Sequence, residues 1–175
     1  VNETEQPEVE FRRASEADAA QIAHLNQLLA EETEGRRLPD EVVLSGVRRG
    51  LQLDPEVRYF VAESSGTVVG QLMLTREWSD WRNGWMLWLQ SVYVVAACRR
   101  QGVFRRLLHY GLDHCRRTDQ PVCVRLYVEE ENDAAAQVYR RLGFGSAGYQ
   151  VMERAEAVAG MPGQGEPNSG YFDFR

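Results

Sequence analysis

Apolar and polar residues change their spacing abruptly near the middle of the chain. From Trp88 to Val95 the apolar positions Leu89, Val92, Val94 and Val95 make a β-branched run of strand length. Beyond Cys98 the spacing becomes helical: Val103, Leu107, Leu108, Gly111, Leu112 and Cys115 share one face, and Arg105, Arg106, His109, Asp113 and Arg116 take the other. Between the two lies Arg99-Arg100-Gln101-Gly102. A helix start there offers unpaired N–H groups and a partial positive charge. A strand, a turn with glycine and arginines, and then a helix suit an anionic phosphate ligand.

The same two periods partition the rest. Val9–Arg13 alternates as a short strand. Ser15 and Asp18 announce a helix with Ile22, Leu25, Leu28 and Leu29 inward, fading at Glu34-Gly35. Pro39 and Asp40 open a second helix, with Val43, Leu44 and Val47 inward, that ends near Gly50. Tyr59–Glu63 and Thr67–Thr75 read as a hairpin around Ser64-Ser65-Gly66, and Gly70 suggests a bulge or a close backbone approach. A wide polar turn is expected over Glu77–Gly84, with the central strand beginning at about Trp85. Trp85 and Trp88 are expected in or beside the sheet; Trp78 and Trp81 either line an acceptor pocket, hold a cation or pack under the first two helices. Val122–Val128 predicts another strand, Ala134–Leu142 a helix stopped by Gly143, and Tyr149–Glu153 a last strand. The expected organisation is one α/β domain over residues 8–155, a polar lead-in over 1–7 and an irregular tail over 156–175.

Composition narrows the function classes. A chain of 175 residues, 43% hydrophobic, can bury one sizeable core. A net charge of −6 argues against a nucleic-acid binder, which is normally basic. Cys98, Cys115 and Cys123 have no metal-like spacing, so no metal and a reducing compartment are expected. No apolar run approaches the roughly 20 residues of a membrane helix, and the start is polar and acidic, so a cytoplasmic setting is expected.

A second signal lies at Tyr127–Phe144. A strand ends, three glutamates follow, Asn132 stands at a helix N-cap, and Tyr139 comes two turns later on nearly the same face. Leu142-Gly143-Phe144 closes the helix. Val92-Tyr93-Val94, Arg99-x-x-Gly102, Asn132, Tyr139 and Leu142-Gly143-Phe144, in that order, resemble the GNAT superfamily of acyl-CoA-dependent N-acetyltransferases. The resemblance spans roughly Val9–Arg154. It departs from the family at Phe104, which stands where a small residue lets the backbone approach a pyrophosphate.

The resemblance implies a three-layer α/β fold, a central mixed and mostly antiparallel sheet flanked by helices. It implies acetyl-CoA as co-substrate and an amine acceptor, small molecule or protein, with direct transfer in a ternary complex; a homodimer is one arrangement it allows. Val92, Tyr93 and Val94 would pair with the pantetheine arm. Arg100, Gln101, Gly102, Val103, Phe104 and Arg105 would give N–H groups to the pyrophosphate, and Arg99, Arg100, Arg105 and Arg106 side chains would reach the nucleotide's phosphates. Asn132 would bond the pantetheine arm, and Tyr139 would be the general acid. Some family members carry a glutamate base five positions before that Asn; here the position is Tyr127, leaving Glu31, Glu32, Glu77 and Glu129 as unassigned candidates. The rival from another class is an acyl-CoA-binding sensor or interaction module without catalysis, to which a proton donor at position 139 would be of no use.

Overall fold

The computed structural model describes residues 8–129, 132–152 and 154. Five strands, β1 (Val9–Arg13), β2 (Val57–Ser64), β3 (Thr67–Ser79), β4 (Gly84–Val94) and β5 (Cys123–Leu126), form one sheet in chain order. The first four pair antiparallel, and β5 runs parallel to β4. A parallel neighbour needs a crossover, which α3 (Val103–Thr118) supplies. The other helices are α1 (Ala19–Glu34), α2 (Asp40–Gln52) and α4 (Asp133–Arg141).

Period-2 alternation in β2 explains the layering. Phe60 and Ala62 face one side with Leu72, Leu74, Leu87, Leu89 and the α3 residues Val103, Leu107, Leu108 and Cys115. Tyr59 and Val61 face the other, with Ile22, Leu25 and Val47 of α1 and α2. Each fully buried Leu or Phe is worth about 1.5–3 kcal/mol, so the two cores decide which face each helix takes. The expected three-layer α/β fold is therefore present.

Local signals act as expected at the helix ends. Ser15 caps a 3-10 turn whose Asp18 carboxylate accepts from Ser15 N (2.7 Å) and from the Arg12 guanidinium of β1 (2.7 and 2.8 Å). Gly35 ends α1 in the left-handed region, and Pro39 precedes α2. At the far end of the sheet Arg58, buried in β2, grips Asp119 just past α3 and Asp54 before β2.

Four expectations are corrected. β3 runs on to Ser79, so the wide turn over Glu77–Gly84 shrinks to Asp80–Asn83. Trp78 pairs directly with Trp85, ring centroids 5.2 Å apart, and Arg76 lies 4.2 Å over Trp85; this cross-strand packing extends a ladder that polar residues alone disguise. Trp85 shares the α3 face with Leu87 and Leu89, so Trp78 does not pack under the first two helices, and Trp81 is exposed. β5 stops at Leu126 rather than Val128: its pairing with β4 ends at Leu89↔Leu126, where the two strands part. Tyr149–Met152 forms no strand, and Tyr149, Val151 and Met152 are exposed. Glu153 and the tail over 156–175 lie outside the described residues, as does the lead-in over 1–7.

The chain divides into two units at Phe144/Gly145. In the second, Gly148 takes φ 72° and its N–H donates to Ser146 Oγ (3.3 Å).

Candidate functional site

The site begins where β4 and β5 part. Their parallel pairing ends at Leu89↔Leu126, while β4 continues to Val94. Val95 N–H donates to Val69 O (2.9 Å) toward β3, so alternation turns the backbone groups of Val94 and Val92 to the opposite, open edge. There Val94 O accepts from Arg99 Nε (2.7 Å). A bulge shapes this edge. Gln71 faces Tyr93 and Met73 faces Gln90, so Ser91 and Val92 together oppose Leu72, and Ser91 takes φ 49°. The bulge expected at Gly70 is a separate one, between Ala62 and Glu63 on β2, where Val69 is the extra residue. Gly70 is also a close approach, since a Cβ there would stand 3.3 Å from Val94 Cγ2.

Beyond β4 the chain makes a 3-10 turn, Ala96–Cys98, and then enters α3 through Gly102. Gly102 takes φ 75°, where a side chain is strained, and a Cβ there would meet only Arg105 Nη2, at 3.9 Å. Arg106 N–H is the first in α3 to find a partner, Gly102 O (3.0 Å). The N–H groups of Arg100, Gln101, Gly102, Val103, Phe104 and Arg105 find no acceptor among the described residues. Six successive free donors at a helix start are an anion cradle. Val103 anchors the turn in the core, and the Phe104 ring packs edge-on against Tyr139 (5.9 Å), leaving its N–H at the helix start. Arg105 is exposed, and the Gln101 side chain closes back on Ala97 O (2.8 Å).

The second motif lies on α4. Asn132 is the N-cap, its Oδ1 accepting from Ala135 N (3.0 Å). Tyr139 sits between Phe104 and Phe144 (5.8 Å), and its hydroxyl has no partner among the described residues. Burial pushes the Tyr139 phenol above its ordinary range. The Phe104–Tyr139 contact thus joins α4 to the α3 turn, and Asn132 stands two turns earlier on α4.

Arg99 turns the other way. Its Nη2 donates to Glu32 Oε2 (2.7 Å), its guanidinium lies 5.2 Å over Tyr93, and Tyr93 Oη donates to Glu32 Oε1 (2.5 Å). Glu32 is held below the usual carboxylate range, by the Tyr93 hydroxyl first and then by Arg99. Burial and the Glu32 carboxylate raise the Tyr93 phenol. α1 is therefore tied to the end of β4. Among the other carboxylate candidates, Glu77 accepts from the Trp88 indole N–H, while Glu31 and Glu129 are exposed. Tyr127, at the place of the family's glutamate, stacks on Trp88 at 4.5 Å. Cys98, Cys115 and Cys123 are free thiols, and no group that could hold a metal occurs among the described residues. No described helix is long and apolar enough to cross a membrane.

Sequence reasoning missed Gln71, wholly buried under the Ser91 bulge, and the pairing of Glu32 with Tyr93 and Arg99. A glutamine among β3's apolar residues was the available signal for the first; the second joins positions 61 and 67 residues apart and leaves none.

Comparison with known proteins agrees with this architecture. A structure described as a possible acetyltransferase from Clostridium difficile 630 is 40% identical, with TM-score 0.78, over 86% of this chain and 99% of that one. AAC(6')-Iy, bound to the bisubstrate analogue CoA-S-monomethyl-acetylneamine, is 17% identical with TM-score 0.71, covering 86% and 99% of the two chains. An acetyltransferase structure with acetyl-CoA from Clostridium acetobutylicum is 13% identical with TM-score 0.70, covering 84% and 96%; these last two show the fold alone. Among curated proteins nothing matches the chain. The model of the acetyltransferase (GNAT) family, whose members use acetyl-CoA, matches residues 21–144, and the chain belongs to that family.

Proposed function

We propose that the protein moves the acetyl group of acetyl-CoA to a primary amine, on a small molecule or a protein, by direct transfer. The observation that carries this reading is the run of six unpaired N–H groups from Arg100 to Arg105 at the end of a strand with a free edge. The residues fit the co-substrate: Gly102 leaves the cradle open, and Phe104 directs its ring to Tyr139 rather than into the loop.

Val92 and Val94 would pair with the amide arm as with an added strand. Arg100–Arg105 would hold the diphosphate through main-chain N–H groups, and the exposed Arg100 and Arg105 side chains would add charged donors. Arg99 would leave its ties to Val94 O and Glu32 to reach a phosphate, which frees the Val94 carbonyl for the arm. Asn132 spends its oxygen on Ala135, which leaves its NH2 to donate to the arm. When bound, acetyl-CoA supplies an activated thioester and a thiolate leaving group. A strand N–H, from Val92 or Val94, would polarise the acetyl carbonyl. Tyr139 stays protonated at neutral pH and would donate its proton to the sulfur as the C–S bond breaks.

The acceptor amine, with an ordinary pKa near 10.4, is neutral in about one part in 10³ near pH 7.4, equivalent to about 4 kcal/mol. Glu32 and Glu77 are engaged with other groups, so neither stands as a free base.

The test is thiol release from acetyl-CoA in the presence of a pool of primary amines, together with CoA titration of Gly102→Glu. The variant places a carboxylate among the phosphate donors and should abolish CoA binding, while strain at φ 75° lowers stability by only about 1 kcal/mol. Unchanged affinity in the variant refutes the loop assignment. CoA binding with no turnover on any amine would favour the sensor module instead.

A further inference from the structure

We propose that Gln71 is a positioning residue for acetyl transfer: it draws the Ser91 carbonyl toward the α1 face and so aims the Val92 N–H away from α1, at the open edge of β4. The inference rests on the acetyl-CoA reading above and adds to it the residue that sets the polarising donor.

Ser91 takes φ 49° in mid-strand, a left-handed conformation unfavourable for a residue with a side chain. Strain of this kind persists only where the surroundings enforce it, and it gathers at functional sites. Directly beneath is Gln71 of β3, wholly buried. Its Nε2 lies 2.6 Å from Asn26 Oδ1 of α1 and 3.4 Å from Ser91 O. The second contact is long, so it steers the carbonyl rather than clamps it. Gln71 Oε1 has no donor among the described residues. A methionine of similar size would fill the space without an unpaired polar atom, so the amide is a burden on the fold. What it supplies is direction.

The Ser91–Val92 peptide is planar and trans, so its carbonyl and its N–H point opposite ways. A Ser91 carbonyl turned toward the Gln71 amide, which meets Asn26 on the α1 face, points the Val92 N–H away from α1, at a level of β4 where β5 has already ended. Asn26 fixes the remaining rotation of the amide, which brings α1 into the geometry of a donor on the other side of the strand. An oxyanion donor is effective when it is pre-aimed, because no reorganisation is then needed as charge develops.

The experiment uses the full chain with Gln71→Met, and acetyl-CoA labelled isotopically at its carbonyl. Infrared difference spectra report the thioester C=O band, calorimetry reports CoA affinity, and thiol release reports kcat and KM. In the wild type the bound carbonyl band moves to lower wavenumber. Gln71→Met should lose that displacement and about tenfold in kcat, with CoA affinity and the KM for acetyl-CoA within twofold of wild type. A merely structural role would weaken CoA binding together with turnover, and that result overturns the proposal. So does a folded Gln71→Met that keeps the wild-type band and kcat. Should Gln71→Met not fold, Asn26→Ala, at a half-buried site on α1, removes only the anchor and should lose part of the displacement; a full wild-type displacement there also overturns the proposal. Acetyl-CoA bound to the wild type with no displacement would instead remove the polarising strand N–H from the reading beneath it, and Gln71's role with it.

Discussion

Tyr139→Phe should separate stability from chemistry at one atom. The Tyr139 ring is packed edge-on between Phe104 and Phe144, and phenylalanine keeps that packing. The hydroxyl has no partner among the described residues, so its removal strands no donor or acceptor. The stability change should stay within about 0.5 kcal/mol. Tyr139→Ala, by contrast, removes the ring and should lose about 3 kcal/mol. The catalytic effect runs the other way. General-acid catalysis contributes 10²–10⁴-fold, and the low end applies here because burial raises the phenol above its usual range, further from a thiol near 8.5. Tyr139→Phe should therefore lower kcat about 10²-fold, or about 2.7 kcal/mol in barrier. Thiol release measures the rate, far-UV circular dichroism the melting, and calorimetry the CoA affinity, which should not change. The raised phenol also fixes the pH profile: Tyr139 remains protonated from pH 6 to 9, so the wild-type rate should rise with pH as the acceptor amine loses its proton, with no falling limb in that range. A variant with kcat within threefold of wild type across this range, at equal melting temperature, refutes the assignment.

Other perturbations test the scaffold. Gly111→Ala would place a Cβ 3.2 Å from Phe60 Cδ2, and Phe60 is wholly buried, so the overpacking should lower stability by about 1–3 kcal/mol in urea unfolding. Asp119→Asn leaves the buried Arg58 with one carboxylate, Asp54, and should cost about 3 kcal/mol. Burial by itself pushes the Asp119 carboxyl up, but hydrogen bonds from Arg58 and Thr118 bring it below the usual range. Asp18 is likewise lowered, by Arg12 foremost. A folded-state pKa below the unfolded one gives stability that is present above the unfolded value of about 3.9 and is lost as pH falls through the folded value. Unfolding free energy should thus hold from pH 7 to about 5 and fall steeply below pH 4, less steeply in Asp119→Asn.

The sequence by itself determined the kinds of element and their ends. The switch from period 2 to period 3.6 across Arg99–Gly102 places strand, turn and helix, and Gly35, Pro39, Asn132 and Gly143 mark boundaries through backbone preferences that need no distant partner. The six-donor turn was legible for the same reason, since Gly102 and the helix start lie within a few residues of each other. Tertiary structure decided how far β3 extends, because Trp78 needs Trp85 across the strand, and where β5 stops, because it parts from β4 after Leu89↔Leu126 and leaves the rest of that edge open. It also decided the Ser91 bulge, Gln71 beneath it and the Glu32 tie to Tyr93 and Arg99. Each of these joins residues distant in the chain, and a hydrogen bond of that kind follows from the register and layer in which the elements meet rather than from the local period of either one.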